Sequence, residues 1–211
     1  MTRALPSLGL LLLLGLAGCK ALPDKPVRPT LYDFGPVAPA ATAVGAPTLQ
    51  ARSALVLPEV EVSGILETPA LLYRLGYDDP HQLRPYAFAR WSGPPGELLR
   101  QRLRDVLGRD RAVLDPAAGA ALARRGTPPP VLRVELEEFS QLFDAPNDSK
   151  GVLRLRCTLL DNTAGGERLV AQRIFEVQRP APSADATGGV RALTAATDAA
   201  AQDIARWLQQ H

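Results

Sequence analysis

The sequence holds little of what chemistry usually needs. Two cysteines, two histidines and one methionine are spread over 211 residues. His81 lies in a polar stretch and His211 ends the chain. Neither H-E-x-x-H nor C-x-x-C occurs, so the motifs yield no metal site. The seven serines are scattered. None sits in G-x-S-x-G, the signature of a hydrolase nucleophile. A P-loop and G-x-G-x-x-G are absent, and with them the usual nucleotide signatures. The adjacent carboxylates Asp78-Asp79 and Glu137-Glu138 read as solvated turn or surface groups, because strand neighbours point to opposite faces. The expectation is a chain that is not an enzyme and carries no soluble cofactor. Neither sign of charge dominates, with 24 basic residues against 22 acidic. That balance lacks the electrostatic footprint of a nucleic-acid partner. Aromatics make up only 5%, so Leu, Val and Ala must build the core.

The remaining composition is that of a globular chain, 46% apolar and 22% charged. Seventeen glycines and twenty prolines point to long loops around a compact unit. No disulfide can form within the domain if one cysteine is used elsewhere, and the N-terminus suggests that it is. Arg3 precedes an apolar run from Leu8 to Leu16, followed by Leu16-Ala17-Gly18-Cys19. A basic start, a short apolar stretch and small residues form an export signal. The run falls short of the roughly 20 residues that span a bilayer. The tetrapeptide resembles the bacterial lipobox, in which the Cys thiol takes a diacylglycerol. Cleavage then frees the Cys amino group for a further acyl chain, often palmitate. Residues 1–18 are therefore expected to be a lipoprotein signal peptide, and Cys19 the lipidation site. Two or more acyl chains hold a protein stably on a membrane without spanning it. Lys20 stands where Asp would retain a lipoprotein in the inner membrane under the common sorting rule, which favours the outer membrane, facing the periplasm. Residues 19–29 carry three prolines and read as an extended tether.

From residue 30 to 211 one α+β domain is expected, a mainly antiparallel sheet covered by two or three helices. Short strands are predicted at Leu31–Phe34, Ala54–Val62 and Arg111–Leu114, with a mobile-looking Ala/Pro/Gly loop at 36–50 between the first two. Leu71–Tyr77 and Arg84–Trp91 read as a hairpin about the polar stretch 78–83. If Leu75 faced Tyr86, then Tyr73, Leu75, Tyr77, Tyr86 and Phe88 would share one side. A helix follows Pro94-Pro95 and ends at Gly108, with Leu99, Leu103, Val106 and Leu107 as its stripe. Asp115-Pro116 starts a shorter one, to Arg125. Strands are predicted at 131–139, 151–160 and 167–178. The first two alternate apolar with charged residues, the third fits less well because Arg173 spoils its apolar face, and the parity lets Glu135 face Arg154. Cys157 falls on the apolar side and reads as a small buried hydrophobe. Val190, Leu193, Thr197, Ala200, Ile204, Trp207 and Leu208 line one face of a closing helix.

Several blocks then follow in order: Leu57-Pro58-Glu59-Val60, Leu72-Tyr73-Arg74-Leu75, Arg84-Pro85-Tyr86-Ala87, Arg90-Trp91-Ser92-Gly93-Pro94-Pro95 and Leu98-Leu99-Arg100-Gln101-Arg102-Leu103. With Leu31-Tyr32-Asp33-Phe34-Gly35 they resemble the ABC-type transport auxiliary lipoproteins, the family of the paraquat-inducible protein C lipoprotein. The resemblance implies an outer-membrane lipoprotein that accompanies a periplasmic MCE-domain (mammalian cell entry) protein and an inner-membrane ABC transporter. Such systems move lipids or other hydrophobic molecules, and the implied role is docking. Tyr73, Arg74, Arg84, Tyr86 and Trp91 are the candidate partner surface, being of the types enriched at interface hot spots. Whether the chain forms a homo-oligomer stays open. Two other readings remain: a carrier lipoprotein that binds a lipid in an apolar cavity, and a structural lipoprotein of another envelope complex.

Overall fold

The computed structural model describes residues 27–36, 52–126, 128–163 and 165–211. The expected export signal, Cys19, the expected tether up to Pro26 and most of the 36–50 loop lie outside them. The described chain forms one α+β domain with an eight-stranded sheet. The strands are β1 (Thr30–Tyr32), β2 (Arg52–Val56), β3 (Ala70–Leu75), β4 (Asp79–Trp91), β5 (Arg111–Leu114), β6 (Val131–Ala145), β7 (Asp148–Thr163) and β8 (Gly166–Pro180). The helices are α1 (Pro95–Leu107), α2 (Pro116–Ala123) and α3 (Ala186–Trp207).

The long ladders are antiparallel: β6 with β7, β7 with β8, and β3 with β4. Short parallel ladders tie in the rest, so the sheet as a whole is mixed. β6 is its spine. One edge of β6 carries β7 along its whole length. The other edge is divided, with β2 joining at Val131 and β3 joining at Gln141 to Phe143. A bridge between Glu61 and Glu135 fills the interval. Pro58, lacking a donor, ends β2 as a regular strand soon after Val56. β5 and β1 lie parallel to β2 and β4 at the margins.

One face is covered. Leu99, Leu103 and Leu107 of α1 and Val190, Leu193, Ala196, Ala200 and Ile204 of α3 join the core with Leu132, Val134, Leu136, Leu153 and Leu155. The small side chains of α3 let it approach closely. A Cβ on Gly151 would lie 2.7 Å from the backbone of Ala192 and Leu193. At one corner of the opposite face Val56, Val131 and Leu160 form a second small cluster. α2 closes it, with Gly119 against Val56. The remainder of that face is open and charged.

Cys157 is fully buried between Val134 and Arg173 on the adjacent strands. Burial pushes its thiol up to about 12, so it is a neutral hydrophobe. The expected pairing of Glu135 with Arg154 is corrected. Glu135 faces Arg156 instead, and a bulge between Leu136 and Glu138 puts Glu138 opposite Arg154 in the ladder. Arg154 pairs with Glu137 at 2.7 Å and Glu176 at 2.9 Å.

Candidate partner surface

The β3–β4 hairpin is tighter than the spacing of polar residues suggests. Its loop is Gly76 to Asp78, because Asp79 already pairs with Leu75. The Gly76 N–H donates to the Phe143 carbonyl at 2.8 Å, locking the turn to β6. The Asp79 carboxylate accepts from the His81 N–H at 2.9 Å. Tyr73 faces Arg84, not the register that would set Leu75 against Tyr86. Tyr73 and Tyr86 nevertheless meet, with ring centroids 4.6 Å apart. The Tyr86 hydroxyl donates to Gln141 Oε1 at 2.8 Å, and Gln141 Nε2 donates to Ser149 Oγ at 2.8 Å. Burial, with Tyr73 adding, raises the Tyr86 pKa and keeps the phenol a neutral donor. Gln141 is fully buried beneath Gly189 at the start of α3. Half-buried Tyr86 thus stands on a fixed polar relay, and Tyr73 packs against its ring and that of Phe143.

The arginines of the hairpin are already engaged. Arg74 forks onto Glu138 with a 3.1 Å contact on the open face. Arg84 donates to Gln82 Oε1 at 2.7 Å and to Asp78 at 3.3 Å. Of the two, Arg84 has the looser pair and a more exposed partner. Trp91 corrects the sequence reading. It is 1% exposed, packed between Phe34 and Phe139, and belongs to the core. It cannot contact a partner. The structure therefore sets Tyr73, Tyr86 and Arg84 on one side of the hairpin and Arg74 on the other, and removes Trp91. Tyr77 at the hairpin loop is half exposed and enlarges the group.

Arg102 escaped the sequence reading. It sits on α1, 3% exposed, and donates to the Phe34 and Gly35 carbonyls while pairing with Asp198 of α3 at 3.2 Å. It binds the N-terminal segment to both long helices. A charged residue beside Leu99 and Leu103 in the apolar stripe was the available signal. A half-open groove of about 670 Å³ lies where β2, β7, β8 and the end of α3 meet. Leu55, Leu122, Leu159, Val170 and Leu208 line it, with Arg111 and His211 also on its walls. Among the described residues no cluster of three His, Cys, Asp or Glu could hold a metal. No helix among them is long and apolar enough to cross a membrane.

The family model for the ABC-type transport auxiliary lipoprotein component matches residues 32–205. The chain belongs to this family. It is a family of transport auxiliary components, so association with a transporter and with the cell envelope comes with membership. Solved structures share the fold at low identity. Protein XCC0632 from Xanthomonas campestris, of family DUF330, is 20% identical with a TM-score of 0.60, over 74% of this chain and 83% of that one. An uncharacterized protein is 18% identical with a TM-score of 0.61, over 86% and 99% of the two chains. No curated protein matches the chain.

Proposed function

We propose that this family member is a non-enzymatic outer-membrane lipoprotein, acylated at Cys19, that docks the periplasmic assembly of an MCE-type ABC transport system. The carrying observation is the family match over nearly the whole domain. The geometry supplies a surface suited to the role. The β3–β4 hairpin presents Tyr73, Tyr77, Tyr86 and Arg84 on a scaffold fixed by Gln141 and by the Gly76 bond to β6. Rigid aromatic side chains beside an arginine are what a hot spot requires. Energy for transport would come from the transporter's ATP hydrolysis.

The test uses the mature protein and its cognate MCE-domain protein. Loss of a hot-spot arginine costs about 2 kcal/mol or more, roughly thirtyfold in affinity. Arg84→Glu places a like charge beside Asp78 and should weaken binding by that order. Arg74→Glu breaks the Glu138 fork, so its melting curve must first match the wild type. Equal binding by folded variants would move the contact surface elsewhere. A wild-type protein that binds no transporter component would overturn docking itself.

The groove of about 670 Å³ favours a second reading, direct carriage of a lipid, since it falls within the usual size of ligand sites. Lipid that copurifies with the wild type and is lost in Leu159→Gln would support it.

A further inference from the structure

The three most exposed of the large apolar side chains among the described residues share one margin of the sheet. Val27, Leu31 and Phe88 are 67%, 64% and 62% exposed, and all three belong to the β1–β4 margin of the sheet. β1 runs parallel to β4, with Leu31 opposite Arg90 and Tyr32 opposite Trp91. Trp91 and Ala89 are buried, whereas Leu31, Arg90 and Phe88 are exposed. Strand alternation therefore sets Leu31, Arg90 and Phe88 on the face away from α3. Tyr32, on the other side, reaches Thr187 of α3 at 3.2 Å. Phe88 owes its outward aim to an irregular register. From Ala70↔Arg90 to Leu72↔Pro85, two steps along β3 are matched by five along β4. Bulges of this kind re-aim side chains at sheet margins. Arg28 and Arg90, both exposed, flank the apolar group.

We propose that this margin is a membrane-contact surface. Val27, Leu31 and Phe88 enter the interfacial layer of the bilayer, and Arg28 and Arg90 meet lipid phosphates. The position of the patch along the chain selects a bilayer as its occupant. Val27 is eight residues from Cys19, and eight extended residues span at most about 30 Å. The inference rests on acylation of Cys19, which then confines the patch to the membrane surface. The interval is itself basic in sequence, with Lys20 and Lys25 against Asp24 alone. Three apolar side chains would hold a free protein poorly. Tethering turns their insertion into an intramolecular step with a high effective concentration, so a weak contact is enough. The domain would then rest edge-down at a set orientation instead of swinging on its tether.

Acylated mature protein in vesicles of phosphatidylethanolamine and phosphatidylglycerol tests this, with the lipids brominated on their acyl chains. Phe88→Trp and, separately, Leu31→Trp introduce a reporter, while the native Trp91 and Trp207 are buried. The introduced indole should be blue-shifted and quenched by brominated lipid, and Arg28→Glu with Arg90→Glu should reduce the quenching. Mass spectrometry of the Cys19 peptide separates the two levels of the claim. An unmodified Cys19 overturns the anchor and this surface together. A modified Cys19 with both reporters unquenched overturns the surface alone. Reporters that ignore brominated lipid but shift to the blue as protein density rises would assign the margin to a second copy of the chain.

Discussion

The two faces of the β6–β7–β8 meander are built from the same three strands and could hardly differ more. Toward α3, Leu153, Leu155 and Cys157 are wholly buried and packed among leucines and alanines. On the reverse, residues one position away, Arg154 and Arg156, sit in a lattice with Glu135, Glu137 and Glu176. Burial of apolar area stabilises the first face without needing direction. The second is partly in water, where an ion pair contributes little and each charge has a partner. The contrast teaches that stability resides in one face and the other is free to be solvated or to meet a surface. It also shows why alternation is so regular in these strands.

The largest effect should come from the covered face. Leu155→Ala opens a cavity beneath α3 and is expected to cost about 2–5 kcal/mol, read from denaturant midpoints at constant m. A loss under 1 kcal/mol would mean that α3 does not seal this face. Cys157→Ala removes a smaller buried atom and should cost about 1 kcal/mol. Its thiol, neutral and inaccessible, should react with a maleimide only after unfolding. Rapid labelling of the folded protein would break the contrast from within.

On the open face, Arg154→Ala together with Arg156→Ala should lower stability by about 1 kcal/mol or less, and less again in high salt. A cost matching Leu155→Ala would erase the distinction between the faces. Acid sharpens the same point. Hydrogen bonding from Arg154, then from Arg156, holds the Glu137 carboxyl below its usual range. The Gly188 N–H and the Ser183 hydroxyl do the same for Asp185 at the start of α3. A carboxyl lowered in the folded state stabilises while ionised. That contribution is complete above the unfolded value near pH 4 and disappears as pH falls through the folded one. Melting temperature should therefore drop below about pH 4, and Glu137→Gln should make the drop shallower.

Much of this was legible in the sequence because burial itself was written in it. Period-two alternation located β6 and β7, and β8 less cleanly because Arg173 interrupts its apolar face; Pro95 with Gly108 bounded α1. Asp115 announced α2, and its side chain accepts from the Ala118 N–H at 2.8 Å. Alternation says which side of a strand is buried but not which strand lies alongside. The parallel joining of β2 and β3 to β6 was therefore hidden. Bulges were hidden too, and each changes what a side chain meets: Glu138, not Glu137, comes opposite Arg154 in the ladder, and Phe88 turns outward. Trp91 illustrates the remaining ambiguity. Its type suits an interface or a core equally, and only the rings of Phe34 and Phe139 decide.

The divided edge of β6 has a temporal consequence. β6, β7 and β8 meet through turns only a few residues long, whereas Val56 must find Val131 and Tyr73 must find Gln141 across about seventy residues of chain. Closing long loops before any contact rewards them is slow. The meander is thus expected to form early, offering its free edge as a template on which β2 and β3 settle. β1 can dock only after β4 has arrived. Pulse-labelled hydrogen exchange during refolding should protect β7 amides first and β1 amides last. The N-terminal strand, though made before the others, would be the last to be fastened.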